Sequence, residues 1–216
     1  MAGEVGDGTV VGRRPRTTAR GAATREAVLD AALACFSAVG YEHTSIADIR
    51  ARSGVSTGSI YHHFGSKEDV AAALYLRGVA STQAAGVAAL DGATTGPEMV
   101  TALVESYLDW VATHPDEARF LLGMRHAPFM DAAEADLARA NATVDERTAA
   151  RYAARIEAGD LPADLSLLRA VVFGPCRHWA GQWLAGRTEL PLADAKGLLA
   201  AAARAAVADL VRAAAG

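Results

Sequence analysis

Cysteine is scarce in this chain: Cys35 and Cys176 are the only two, and they lie far apart. That argues against a disulfide scaffold and for a reducing compartment. Long apolar runs are missing as well, and none approaches the roughly 18 residues that a membrane span needs. The start, MAGEVGDGTVVGRRPR, mixes acids and glycines and has no apolar core of signal-peptide length. A soluble, cytoplasmic protein is expected. Strand-like alternation and internal repeats are absent too. Enzyme signatures are equally hard to find. Gly65-Ser66-Lys67 has only a superficial likeness to a phosphate loop, because no Gly-x-x-x-x-Gly-Lys-Ser/Thr run surrounds it. Neither Gly-x-Ser-x-Gly nor His-Glu-x-x-His occurs. Cys176 and His178 make a single Cys-x-His pair without the other ligands of a structural zinc site. No catalytic residue, metal or cofactor is assigned.

What is present is helical pattern and an uneven charge. Hydrophobic residues make up 51% and charged residues 21%, a balance that suits a globular chain of 216 residues rather than a disordered one. The net charge of -4 divides unevenly: residues 12–67 hold eight Lys/Arg against four acids, so this part is +4 and the remainder -8. A basic N-terminal part on an acidic body fits a separate unit that meets nucleic acid.

Residues 1–20 are rich in Gly, Thr and Arg without periodicity and read as a flexible basic arm. From Thr24, the residues Val28, Leu29, Ala32, Leu33, Phe36 and Val39 recur at spacings of three and four, one face of a helix that Gly40 closes. Ser45 with Asp48 forms a capping-box-like start for a short helix bearing Ile46 and Ile49. Gly54 breaks the chain, Ser56 starts a second short helix with Ile60 and Tyr61, and Phe64-Gly65 ends it. Ser66 with Asp69 opens a long helix toward Leu90. Further helices are expected from Gly96-Pro97 to His114, from Asp116 to Met124, from Asp131 to Ala158 and from Asp164 to Leu184, the last interrupted at Gly174-Pro175. A final one runs from Leu192 to Val211. The fold is all-α, with about nine helices.

Two short helices joined by a tight Gly turn are the parts of a helix-turn-helix, whose second helix enters the major groove. Small residues at Thr57, Gly58 and Ser59 allow close approach to base edges, and Tyr61, His62 and His63 supply donors and aromatic surface. The helix starts at Ser45 and Ser66 offer backbone N–H groups to phosphate, and Lys67 adds a full charge.

The run from Thr24 to Val70 resembles the DNA-binding domain of the TetR family of regulators. The likeness rests on Phe36, Gly40 and Tyr41, then Thr44-Ser45, Ile49 and Gly54-Val55-Ser56. It continues with Ile60-Tyr61-His62-His63-Phe64 and Ser66-Lys67-Glu68. It implies an arm over 1–20, a three-helix helix-turn-helix domain over 21–68 and a helical ligand-binding and dimerisation domain over 69–216. It further implies phosphate contacts from Thr44, Ser45, Tyr61, His63 and Lys67. Base-edge or close groove contacts would come from Ser56, Thr57, Gly58, Ser59 and His62. Thr57 departs from the Lys, Arg or Gln that members often carry, and could meet a thymine methyl instead. Arg13, Arg14, Arg16 and Arg20 resemble arms that some members lay in the minor groove; the plain alternative is a solvated tail.

In such proteins the last two long helices form a four-helix dimer interface, with a ligand pocket among the preceding ones. Val172, Trp179 and Trp183, at spacings of seven and four, face either a partner or the core, and Leu198 joins them as an interface candidate. Candidate ligand contacts are Trp110, Phe120, Met124, Phe129, Tyr152, Phe173 and Cys176, with His126 and His178 as polar groups. Ordinary core packing is the alternative for each. The function implied is a ligand-responsive transcriptional regulator, most simply a repressor, that binds a palindromic operator in double-stranded DNA as a homodimer. An all-α enzyme and a DNA binder that senses no ligand are the readings it competes with.

Overall fold

The computed structural model describes residues 19–215, and among these the chain forms nine α-helices and no strand. They are α1 (Ala19–Val39), α2 (Ile46–Ser53), α3 (Thr57–His63), α4 (Lys67–Ala89), α5 (Gly96–Thr113), α6 (Pro115–Met124), α7 (Met130–Glu157), α8 (Leu165–Leu184) and α9 (Leu192–Ala215). A 3-10 turn, Leu90–Gly92, follows α4. No helix among the described residues is long and apolar enough to cross a membrane.

The N-terminal cluster forms where α1 to α4 turn their apolar faces together. Val28, Leu29 and Phe36 of α1 meet Ile49 of α2, Ile60 of α3, Phe64, and Val70 and Leu74 of α4. Ile49 and Ile60 are wholly buried, and burial of such a side chain stabilises by about 1.5–3 kcal/mol. Val39 departs from the expected face: it is 57% exposed at the last turn of α1. The helix also begins at Ala19 rather than Thr24. An Ala-rich stretch extends a helix by propensity alone, without an apolar face to announce it. The arginines assigned to the arm therefore differ in place: Arg20 lies within α1, whereas Arg13, Arg14 and Arg16 lie outside the described residues.

The second cluster is built by α5, α8 and α9, with Leu103, Val104, Leu108, Val172, Cys176 and Val207 among its buried members. Thr95 and Glu98 form a full capping box at the start of α5. Gly96, beside them, is obligatory, because a Cβ there would lie 2.5 Å from the Asp160 carbonyl oxygen. The interruption expected at Gly174-Pro175 does not occur, and α8 runs on through Pro175. Both residues are exposed, so the ring meets solvent and the lost N–H bond falls outside the core.

The two clusters meet along α4 and α6, where Leu121 packs against both, and aromatic contacts tie α6 and the segment after it into the N-terminal one. Phe120 of α6 stacks on Phe36 with ring centroids 5.5 Å apart, and Phe129 lies 5.4 Å from the Tyr41 ring.

Candidate nucleic-acid interface and ligand cavity

The turn between α2 and α3 follows from local chemistry. Ser45 caps α2: its Oγ accepts from the Asp48 N–H at 3.3 Å, and Asp48 Oδ2 accepts from the Ser45 N–H at 2.8 Å. The Ser45 hydroxyl, donating to the same Oδ2, and then the Ser45 N–H hold the Asp48 carboxyl below the usual carboxylate range. Gly54 then takes φ +68°, a left-handed conformation open to glycine without steric cost. Ser56 caps α3, its Oγ accepting from the Ser59 N–H at 3.2 Å.

With Ile60 and Phe64 fixed inward, α3 turns its remaining side chains out. Thr57, Gly58 and His62 are exposed, Tyr61 is 52% exposed, and Ser59 and His63 are half-buried. Gly58 is informative, because a Cβ there would meet nothing within 4 Å. Packing within the protein does not demand its small size.

Several assigned contacts are already committed inside the protein. Thr44 is only 3% exposed and its hydroxyl donates to the Gly40 carbonyl at 2.8 Å, so it has no proton to offer a phosphate. The Ser45 hydroxyl donates to Asp48 Oδ2 at 2.6 Å, which leaves backbone N–H groups as its helix end's donors. At the start of α4, Ser66 accepts from the Asp69 N–H, and Glu68 and Asp69 place two acids in the first turn. Lys67 turns back: its Nζ donates to the Tyr41 carbonyl at 3.0 Å and stands 4.3 Å over the Tyr41 ring. Burial, and then Glu68 beside it, push the Tyr41 phenol up to about 12. Lys67 thus clamps the loop after α1 as well as carrying charge. Arg50 and Arg52, not singled out from sequence as contacts, are exposed in the last turn of α2 and have no ion pair among the described residues. Their position beside a helix-turn-helix was the only available signal.

A cavity of about 510 Å³ opens among α4, α5, α6, α7 and α8. Trp110, Tyr152 and Phe173 line it, as does Tyr107, whose ring meets Phe173 edge-on at 5.9 Å. The other nominated contacts do not line it. Phe120, Phe129 and Met124 belong to the N-terminal cluster, because α6 and the segment after it turn those side chains toward Phe36 and Tyr41. Cys176 points into the second cluster, where Sγ donates to the Val172 carbonyl at 3.1 Å and burial pushes the thiol up to about 11. His126 and His178 are exposed away from the lining. Among the described residues no three His, Cys, Asp or Glu gather as a metal site.

Of the interface candidates, Val172 is wholly buried within the single chain, since its face of α8 looks onto α5. Trp179 and Trp183 stack with ring centroids 6.1 Å apart and are half-buried against the same cluster. Leu198 stands apart at 62% exposure.

Known proteins carry the same arrangement. The profile described as bacterial regulatory proteins, tetR family, matches residues 28–74. The HTH-type transcriptional repressor Rv1474c of Mycobacterium tuberculosis is 31% identical over 146 residues, 67% of this chain and 74% of that protein. A TetR family transcription regulator from Marinobacter aquaeolei superposes with a TM-score of 0.68 at 20% identity, covering 87% of this chain and 97% of its own. The transcriptional regulator FadR from Bacillus subtilis, in complex with stearoyl-CoA, gives a TM-score of 0.68 at 17% identity, covering 82% and 96%.

Proposed function

This chain belongs to the TetR family of bacterial regulatory proteins, and we propose that it acts in the cytoplasm as a homodimeric repressor released from its operator by a small molecule. The observation that carries the reading is α3, which turns Thr57, Gly58, Tyr61 and His62 outward from a helix-turn-helix whose geometry needs none of them for packing. Thr57, Gly58, Ser59 and His62 would meet base edges. Ser56, Tyr61, His63, Arg50 and Arg52 would meet backbone and groove walls, with Arg13, Arg14 and Arg16 adding contacts from ahead of α1.

A palindrome needs two reading helices about 34–36 Å apart. The exposed side of α9 at Leu198, continued by Leu167 of α8, would pair with a second copy to set that distance. The cavity is of a size that suits an effector, and its counterpart in fold, the B. subtilis FadR, is one crystallised with stearoyl-CoA. An effector that prefers another placement of α4 would draw the dimer from its DNA-competent state. Near-complete release requires about a 10⁴-fold preference between the states.

Mobility shift on duplexes selected by the protein itself tests the reading. Tyr61→Ala should lower affinity tenfold or more while sedimentation still reports a dimer. A variant that bound like the parent would remove α3 from the role given to it.

A further inference from the structure

The cavity's polar groups fall into two sets. Most are spoken for: Gln83 donates to Asn141 at 2.7 Å, the Thr148 hydroxyl donates to the Val144 carbonyl, Ser106 to the Leu103 carbonyl, and Arg169 pairs with Asp145. The second set is not. Arg125 and Arg177 border the cavity and have no acidic partner among the described residues. The Tyr75 and Tyr107 hydroxyls make no hydrogen bond there either. Arg125, Arg177, Tyr75 and Tyr107 belong together, since the two arginines both act electrostatically on both phenols, whereas the Tyr152 hydroxyl, likewise without a hydrogen bond among the described residues, answers to Arg169 and Asp145. Arg177 is oriented by the Phe173 ring, 5.6 Å from its guanidinium. With Asp145 already neutralised by Arg169, the cavity lining retains two uncompensated positive charges.

Four such donors without acceptors, in a cavity that also has apolar walls, ask for an acceptor-rich anion attached to an apolar body. Leu90, Leu103, Leu121, Leu137 and Val144 supply the apolar walls. We propose that the effector is an anionic amphiphile, with a carboxylate or phosphate head held by Arg125 and Arg177 and completed by the Tyr75 and Tyr107 hydroxyls. This rests on reading the cavity as the effector site. A cationic ligand would meet like charge, and a neutral one would leave both guanidinium groups unused.

The test compares dodecanoate, dodecyl phosphate and dodecanol, each below its micellar concentration. Binding is read by tryptophan fluorescence, because Trp110 lies in the wall, and by the shift in Tm. The full-length protein and R125Q/R177Q are used, both side chains being exposed and dispensable for the core. Both anions should bind about tenfold or more tightly than dodecanol, the return expected of charge-assisted hydrogen bonds. R125Q/R177Q should lose that preference and keep its affinity for dodecanol. The tighter of the two anions then names the head group. Dodecanol binding as tightly as the anions, or a preference that survives in R125Q/R177Q, would overturn the head-group assignment and leave the cavity as an effector site. Failure of all three probes to bind the parent protein would overturn both.

Discussion

Arg77 of α4 donates through Nη2 to the Glu117 carboxylate of α6 at 3.1 Å, while its Nη1 serves Glu26 at 3.1 Å and Asp30 at 2.7 Å on α1. One guanidinium therefore fastens a helix of the DNA-binding unit, the connecting helix and a helix of the cavity. Burial works against its charge, but the bonds from Asp30 and Glu26 outweigh it, and the charged form is favoured overall.

Arg77→Met should lower stability by about 1–3 kcal/mol, because the Glu117 side chain, only 15% exposed, would be left without a partner. Glu117→Gln should cost less, since Arg77 keeps Asp30 and Glu26. Urea unfolding checks both. Equal midpoints for Arg77→Met and the parent would show that the three helices are held by packing alone.

Gly58→Ala separates reading from folding. The new methyl meets nothing within 4 Å, and Ala gains up to about 1 kcal/mol of helix propensity over Gly. Tm should hold or rise while operator affinity falls. Unchanged affinity would mean that no DNA approaches this face of α3 closely.

Lys67→Met should weaken DNA binding uniformly across sequences and reduce the salt slope by about 1 if the charge reaches phosphate. It should also lower Tm modestly, because the contact with the Tyr41 ring and carbonyl is lost. A lower Tm with an unchanged salt slope would leave Lys67 as a clamp only.

Leu198→Arg places a charge on the exposed side of α9 without touching the core. Sedimentation should report monomers with unaltered helical circular dichroism. A stable dimer would move the interface elsewhere.

High pH should unfold the protein in a defined window. Burial pushes the Tyr107 phenol from its ordinary 10 up to about 12, so the fold favours the neutral form. That stability is fully present below pH 10, where the unfolded chain is also protonated, and is lost as pH rises through about 12. Cys176, pushed from 9 up to about 11, contributes in the same direction at lower pH. Tyr107→Phe should flatten the fall between these limits, and an equally steep fall would assign it to other groups.

The DNA-binding unit was legible because its signals are local. Ser45 with Asp48, the left-handed Gly54 and the cap at Ser56 act over three or four residues, and each stands where the sequence put it. Thr44 was misread for the converse reason: the hydroxyl's partner, the Gly40 carbonyl, depends on how the chain folds back after α1. The cavity was legible only in part. Trp110, Tyr152 and Phe173 line it, but Phe120 and Phe129 turn toward Phe36 and Tyr41. Periodicity tells that a helix has an apolar face and not which neighbour covers it. Arg125 and Arg177 gave no sequence signal at all, since an arginine without a partner looks like any solvated one until its surroundings are known.

The central claim, that a dimer of this chain reads DNA through α3, is tested most directly by selecting bound duplexes from a random library with the purified protein at fixed salt. A palindrome should be enriched whose half-sites are centred about 10–10.5 base pairs, or a multiple of that, apart. Absence of any enriched sequence at low salt, from effector-free protein, would contradict it.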